Sequence, residues 1–108
     1  MAGAGMPARR RIAFARINER ALGHAESILA RWLADGRREG SEWVALNPKR
    51  GDRHKGSFKV NVKTGRWGDF AAGASGGDFV SLAAFLFGIT QGEAAHRLAE
   101  MLGIDCYE

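Results

Sequence analysis

Phe58-Lys59-Val60-Asn61-Val62-Lys63-Thr64-Gly65-Arg66-Trp67-Gly68-Asp69-Phe70 is the stretch that decides the fold. Apolar Phe58, Val60 and Val62 alternate with polar Lys59, Asn61 and Lys63, the two-residue period of a half-buried strand. Thr64-Gly65 supplies a turn, and residues 66–70 return as a second strand bearing Trp67 and Phe70. The expectation is an antiparallel hairpin, with Lys59 and Lys63 together on the face turned away from the core.

On the N-terminal side, residues 47–56 (Asn-Pro-Lys-Arg-Gly-Asp-Arg-His-Lys-Gly) have the proline, the glycines and the dense charge of a loop. Residues 42–46 read as a further short strand, with Trp43 assigned to neither of its faces. Before it, Ala21, Leu22, Ala25, Ile28, Leu29, Trp32 and Leu33 follow the spacing of one amphipathic helix over residues 17–36. Asn18 is its expected N-cap, Gly36 its stop, and Trp32 part of the core. Residues 1–16 read as a flexible basic arm.

On the C-terminal side, a glycine-rich turn at 73–77 leads to Asp78, placed where a helix dipole favours an acid. The following helix, Phe79–Phe87, is apolar almost all round and is expected to be the central buried element. Gly88 closes it. Thr90-Gln91-Gly92-Glu93 is a capping box for a last helix whose inward face is Ala94, Ala95, Leu98, Met101 and Leu102, and Gly103 ends it. Residues 17–108 therefore read as one α+β domain: one N-terminal helix, a small antiparallel sheet of two to four strands within residues 42–72, and a helical pair over 77–103.

Composition narrows the function. One cysteine among 108 residues, Cys106, builds neither a disulfide nor a cysteine zinc site. The longest apolar run is half what a membrane span needs, and Arg9-Arg10-Arg11 is followed by too short an apolar stretch for an export signal, so a cytoplasmic protein is expected. Charge is lopsided: residues 1–66 hold fifteen of the sixteen Lys and Arg against six acids, and residues 67–108 hold only Arg97 against six acids. A basic half of this kind is the electrostatic footprint of a polyanion partner.

The order of these features resembles the zinc-ribbon domain that precedes the catalytic part of bacterial, phage and plasmid primases and primase-helicases. The matching stretches are Asn47-Pro48-Lys49-Arg50-Gly51-Asp52-Arg53, Gly65-Arg66-Trp67-Gly68-Asp69-Phe70-Ala71-Ala72-Gly73 and Gly77-Asp78-Phe79-Val80, with the closing helical segment from Gly88. The likeness covers about half of the chain. Where that family has its four cysteines, this sequence has Asn47, Arg50, Asp69 and Ala72. Arg50 and Ala72 cannot ligate zinc, so no metal is expected, nor any other cofactor, and packing beneath Trp67 and Phe70 is expected to close the ribbon instead.

What the resemblance implies is template recognition in the replication system of a phage or mobile element. The partner would be a nucleic acid, DNA before RNA and single-stranded first, with primase or helicase catalytic subunits on another chain. The candidate binding residues are Lys49, Arg50, Arg53, His54, Lys55, Lys59, Lys63, Arg66 and Trp67, with Trp67 or Phe70 available to stack on a base. The competing reading of the same residues is a core Trp67 and lysines that merely keep an edge strand from pairing. The competing function is a protein-interaction module that docks on a replication partner or on itself. Enzymatic activity is not expected: there is no Gly-Lys-Ser/Thr at the glycine-rich turn, His24 and His96 lie off the apolar helix faces, and Cys106 sits among acids that disfavour a thiolate.

Overall fold

A computed structural model describes residues 10–46, 58–70 and 73–108 of the 108-residue chain. Within them five short strands, β1 (Arg37–Glu39), β2 (Glu42–Ala45), β3 (Phe58–Asn61), β4 (Trp67–Asp69) and β5 (Ala74–Gly76), form one antiparallel meander in the order β1-β2-β3-β4-β5. Four helices complete the α+β fold: α1 (Phe14–Leu22), α2 (Ala25–Trp32), α3 (Phe79–Phe87) and α4 (Gln91–Leu102).

The sheet exceeds the expected two to four strands because β1 and β5 carry no apolar alternation. All three residues of β1 are exposed, and β5 is Ala-Ser-Gly. Neither forms by propensity; each is folded back onto a stronger neighbour. Gly40, at φ 64°, makes the left-handed turn from β1 into β2. β5 accepts the free edge of β4 and brings Gly76 opposite Trp67.

The expected single helix over 17–36 is two. After Leu22 the chain leaves the helical ladder: the His24 N–H donates to Ala21 O, and the ladder restarts when Ile28 N–H donates to His24 O. The break at Gly23-His24 leaves the apolar stripe continuous, so Ala21, Ala25, Ile28, Leu29 and Leu33 are all buried. Asn18 does not cap this helix. It lies inside α1, and its Oδ1 accepts the N–H of Val80, in the first turn of α3.

Residues 10–16, expected in a flexible basic arm, are part of the folded domain. Residues 1–9 lie outside the described ones, but Ile12 forms a β-bridge with Tyr107, Ala13 is buried and α1 begins at Phe14. The two ends of the chain are clasped together. Ala13 N–H donates to Cys106 O, Glu108 N–H to Arg11 O, and the Arg16 guanidinium to the carbonyls of Asp105 and Tyr107 at 2.8 and 2.6 Å. A sequence pattern cannot announce a clasp made by backbone groups some 90 positions apart.

The helix ends of the second half follow the local sequence. Asp78 accepts from Ser81 N–H at 2.8 Å and Thr90 from Glu93 N–H at 3.1 Å, each completing a reciprocal capping box. Gly88 and Gly103 close α3 and α4 in the left-handed region, at φ 65° and 71°. In α3 the first half is buried, at Phe79, Val80, Leu82 and Ala83, whereas Phe87 at its end emerges to 47% exposure.

The core lies between the sheet and the helices. Trp43, Val60, Trp67 and Gly76 form one inward row across the register, and Ala45, Phe58, Asp69 and Ala74 form the other. Phe85 of α3 meets this surface, its ring 6.0 Å from Phe58 and 4.9 Å from Trp67. Both sheet tryptophans are anchored by their indole N–H, Trp43 to Leu33 O and Trp67 to Ser81 Oγ, each at 3.0 Å. No helix among the described residues is long and apolar enough to cross a membrane.

Candidate nucleic-acid interface

The outer face of the sheet carries the opposite parity: Val44, Lys59, Gly68 and Ser75 in one row, Glu42 and Asn61 in the next. Arg66, one step before β4, and Phe70, one step after it, share that parity. Together Glu42, Lys59, Asn61, Thr64, Arg66, Gly68, Phe70 and Ser75 line an open groove of about 520 Å³, floored at one point by the edge of Trp67. Phe70 is 76% exposed, and Lys59 Nζ stands 5.6 Å from its ring centroid. Lys59 also lies 3.9 Å from the carboxylate of Glu42, so one of the groove's two cations is partly neutralised.

Trp67, one of the expected binding residues, touches this groove at one point but is mainly a core side chain. Only 6% of it is exposed, and its indole stacks on Phe58 at 5.8 Å. The strand period is the reason. Positions 67 and 70 are three apart and must face opposite ways, so burying one aromatic exposes the other. Of the two rings expected to cover the core, Trp67 packs on Phe58 and Phe85, and Phe70 does not.

Lys59 and Lys63 do not share a face. The strand ends at Asn61, whose Oδ1 accepts the N–H groups of Lys63 (2.8 Å) and Thr64 (3.1 Å) and bends the chain. Gly65, at φ 82°, completes that turn. Lys63 instead lines a second groove of about 350 Å³ with His24, Glu26, Ser27 and Arg38, in which Arg38 is ion-paired to Glu26. Lys49, Arg50, Arg53, His54 and Lys55 lie outside the described residues.

The residues missed by sequence reasoning are Asn61, Thr64 and Ser75, neutral hydrogen-bonding groups in the groove. Parity alone points to Asn61; Ser75 requires knowing that β5 exists.

Of the four places that correspond to zinc-ribbon cysteines, only Asp69 is described. It is 2% exposed and turned into the core opposite Phe58. Among the described residues no three His, Cys, Asp or Glu side chains converge on a point that could hold a metal ion. Cys106 is buried in the terminal clasp, and burial, reinforced by the charge of Asp105, pushes its thiol up, away from the nucleophilic thiolate. No protein-family model matches this sequence, and no curated protein is similar to it.

Proposed function

We propose that this chain is a metal-free nucleic-acid-binding domain that holds single-stranded DNA on the outer face of its sheet. The observation that carries the reading is Phe70, an aromatic ring 76% exposed beside Lys59 and above a polar groove that also contains Arg66. An exposed ring costs free energy in water unless something covers it, and an unpaired base is a flat apolar surface of matching size. In a duplex the base faces are already stacked, which favours a single strand. Lys59 and Arg66 then meet phosphates on either side, and Asn61, Thr64 and Ser75 offer hydrogen bonds to sugar or base edges.

The sequence between Ala45 and Phe58 adds Lys49, Arg50, Arg53, His54 and Lys55 to the cationic character of the chain. The primase resemblance supplies the context: template recognition within a replication system of a phage or mobile element, with catalysis performed by another chain. The role is binding, not catalysis.

The test is a titration of fluorescein-labelled single- and double-stranded oligonucleotides at several salt concentrations. Neutralising about four phosphates on a single strand gives a slope of log affinity against log salt of about −3. Preference for the single strand with such a slope supports the proposal. Binding that ignores salt, or none at low salt, rejects it. Metal analysis of the purified protein accompanies it, and about one zinc per chain overturns the metal-free part.

A further inference from the structure

Away from the sheet's outer face, the helical half of the molecule leaves an apolar cleft open. Its walls are Trp32 of α2, Phe87 at the end of α3, Ile89, and Leu98 and Met101 of α4, with Arg97 at the mouth. Its volume is about 190 Å³, room for one large side chain. Phe87 is 47% exposed and Met101 39% exposed. The Trp32 and Phe87 rings meet edge to face at 5.4 Å, so one wall is rigid. An adjoining hollow shares Met101 and adds Arg31 from α2. Apolar surface gathered in a concavity and rimmed by charge marks a binding site more often than scattered surface leucines do.

Charge decides the occupant. Arg97 is the only Lys or Arg in residues 67–108, a stretch with six acids, and it stands at this mouth. Neither Arg97 nor Arg31 forms an ion pair among the described residues. The neighbouring Glu93 carboxylate accepts from Thr90 N–H and Oγ at 3.1 Å each, and the Arg97 charge helps to hold it below its ordinary value.

Residues 1–9 and 47–57 do not fit. Residues 1–9 contain no acid, and residues 47–57 are basic and lack any large apolar side chain. We infer that this cleft is a docking site for a peptide segment of a partner protein that carries one bulky aliphatic or aromatic anchor flanked by carboxylates. The linings of the cleft and the adjoining hollow hold Arg97, Arg31 and His24 and no carboxylate, which gives the contact its register.

The test uses the full chain and a displayed library of random 16-residue peptides. Selection is expected to enrich a Leu, Ile or Phe flanked by Asp or Glu. Synthetic copies should perturb the NMR signals of the Trp32 indole and the Met101 methyl. Met101→Glu and Arg97→Glu, both at exposed positions, should each weaken those peptides about tenfold or more while thermal unfolding and oligonucleotide binding stay unchanged. Failure to enrich any motif, enrichment of motifs without acids, or binders indifferent to both substitutions would each overturn the inference.

Discussion

The side-chain oxygen of Asn18 accepts the backbone N–H of Val80 at 2.9 Å, joining α1 to the first turn of α3 across 62 positions of sequence. The first N–H groups of a helix have no partner within it, and a residue suited to capping its own helix here satisfies another. Asn18→Ala removes that acceptor at a half-buried site and is expected to cost about 1–2 kcal/mol. In a domain of this size that lowers Tm by roughly 4–12 °C. Thermal unfolding measures it, and Asn18→Asp, which keeps the oxygen, should recover most of the loss.

Gly76 lies under the indole of Trp67. A Cβ there would come within 2.6 Å of Ser81 Oγ and closer still to the indole nitrogen. Gly76→Ala must therefore push the ring off its hydrogen bond to Ser81, and a destabilisation of about 2–3 kcal/mol is expected, as for overpacked cores. The emission of Trp67 should shift to longer wavelength. Gly36, equally tight against Trp43, should behave alike.

Exchanging the roles of the two ribbon aromatics separates binding from folding. Phe70→Ala should weaken single-stranded DNA binding by about 1–3 kcal/mol, the usual worth of a stacked base, and leave Tm nearly unchanged, because the ring is 76% exposed. Trp67→Ala should do the reverse first, lowering stability by about 3–5 kcal/mol through loss of a core ring. Equal binding by the Phe70 variant and the parent would remove the sheet face from consideration.

Glu42 faces Lys59 at 3.9 Å and opposes any phosphate in the groove. Glu42→Gln is expected to tighten oligonucleotide binding several-fold at low salt and to steepen the salt dependence, since Lys59 becomes fully available. Both changes are read from the anisotropy titration described above.

The terminal clasp responds to acid. The hydrogen bond from Tyr107 N–H, opposed by desolvation and assisted by the charges of Arg10 and Arg16, holds the Asp105 carboxyl below its ordinary value of 3.8. A carboxyl with a depressed folded-state pKa stabilises the fold above its unfolded value, and that contribution disappears as pH falls through the folded value. Asp105→Asn should therefore unfold at lower temperature than the parent at neutral pH. The two melting curves should converge as the pH drops below about 4.

The hairpin, the inward parity of Phe58 and Val60, the acid Asp78 at the start of α3, and the caps at Thr90, Gly88 and Gly103 belong to the sequence alone. Each rests on residues within four positions of one another, where period and backbone preference act directly. The apolar stripe from Ala21 to Leu33 was legible too, although the helix bearing it is broken at Gly23-His24; burial constrains which side chains face inward more strongly than it constrains the backbone ladder.

Tertiary structure decided the rest, wherever a residue's role depends on a distant neighbour. It buried Trp67 against Phe85 and turned Phe70 outward, and it gave the N–H of Val80, in the first turn of α3, an acceptor in Asn18, 62 positions away. It paired the two edge strands, which have no periodicity of their own, and it set Arg97 beside Trp32 at the mouth of one cleft. Periodicity reports which face of an element is apolar. It takes packing between elements to say what that face meets.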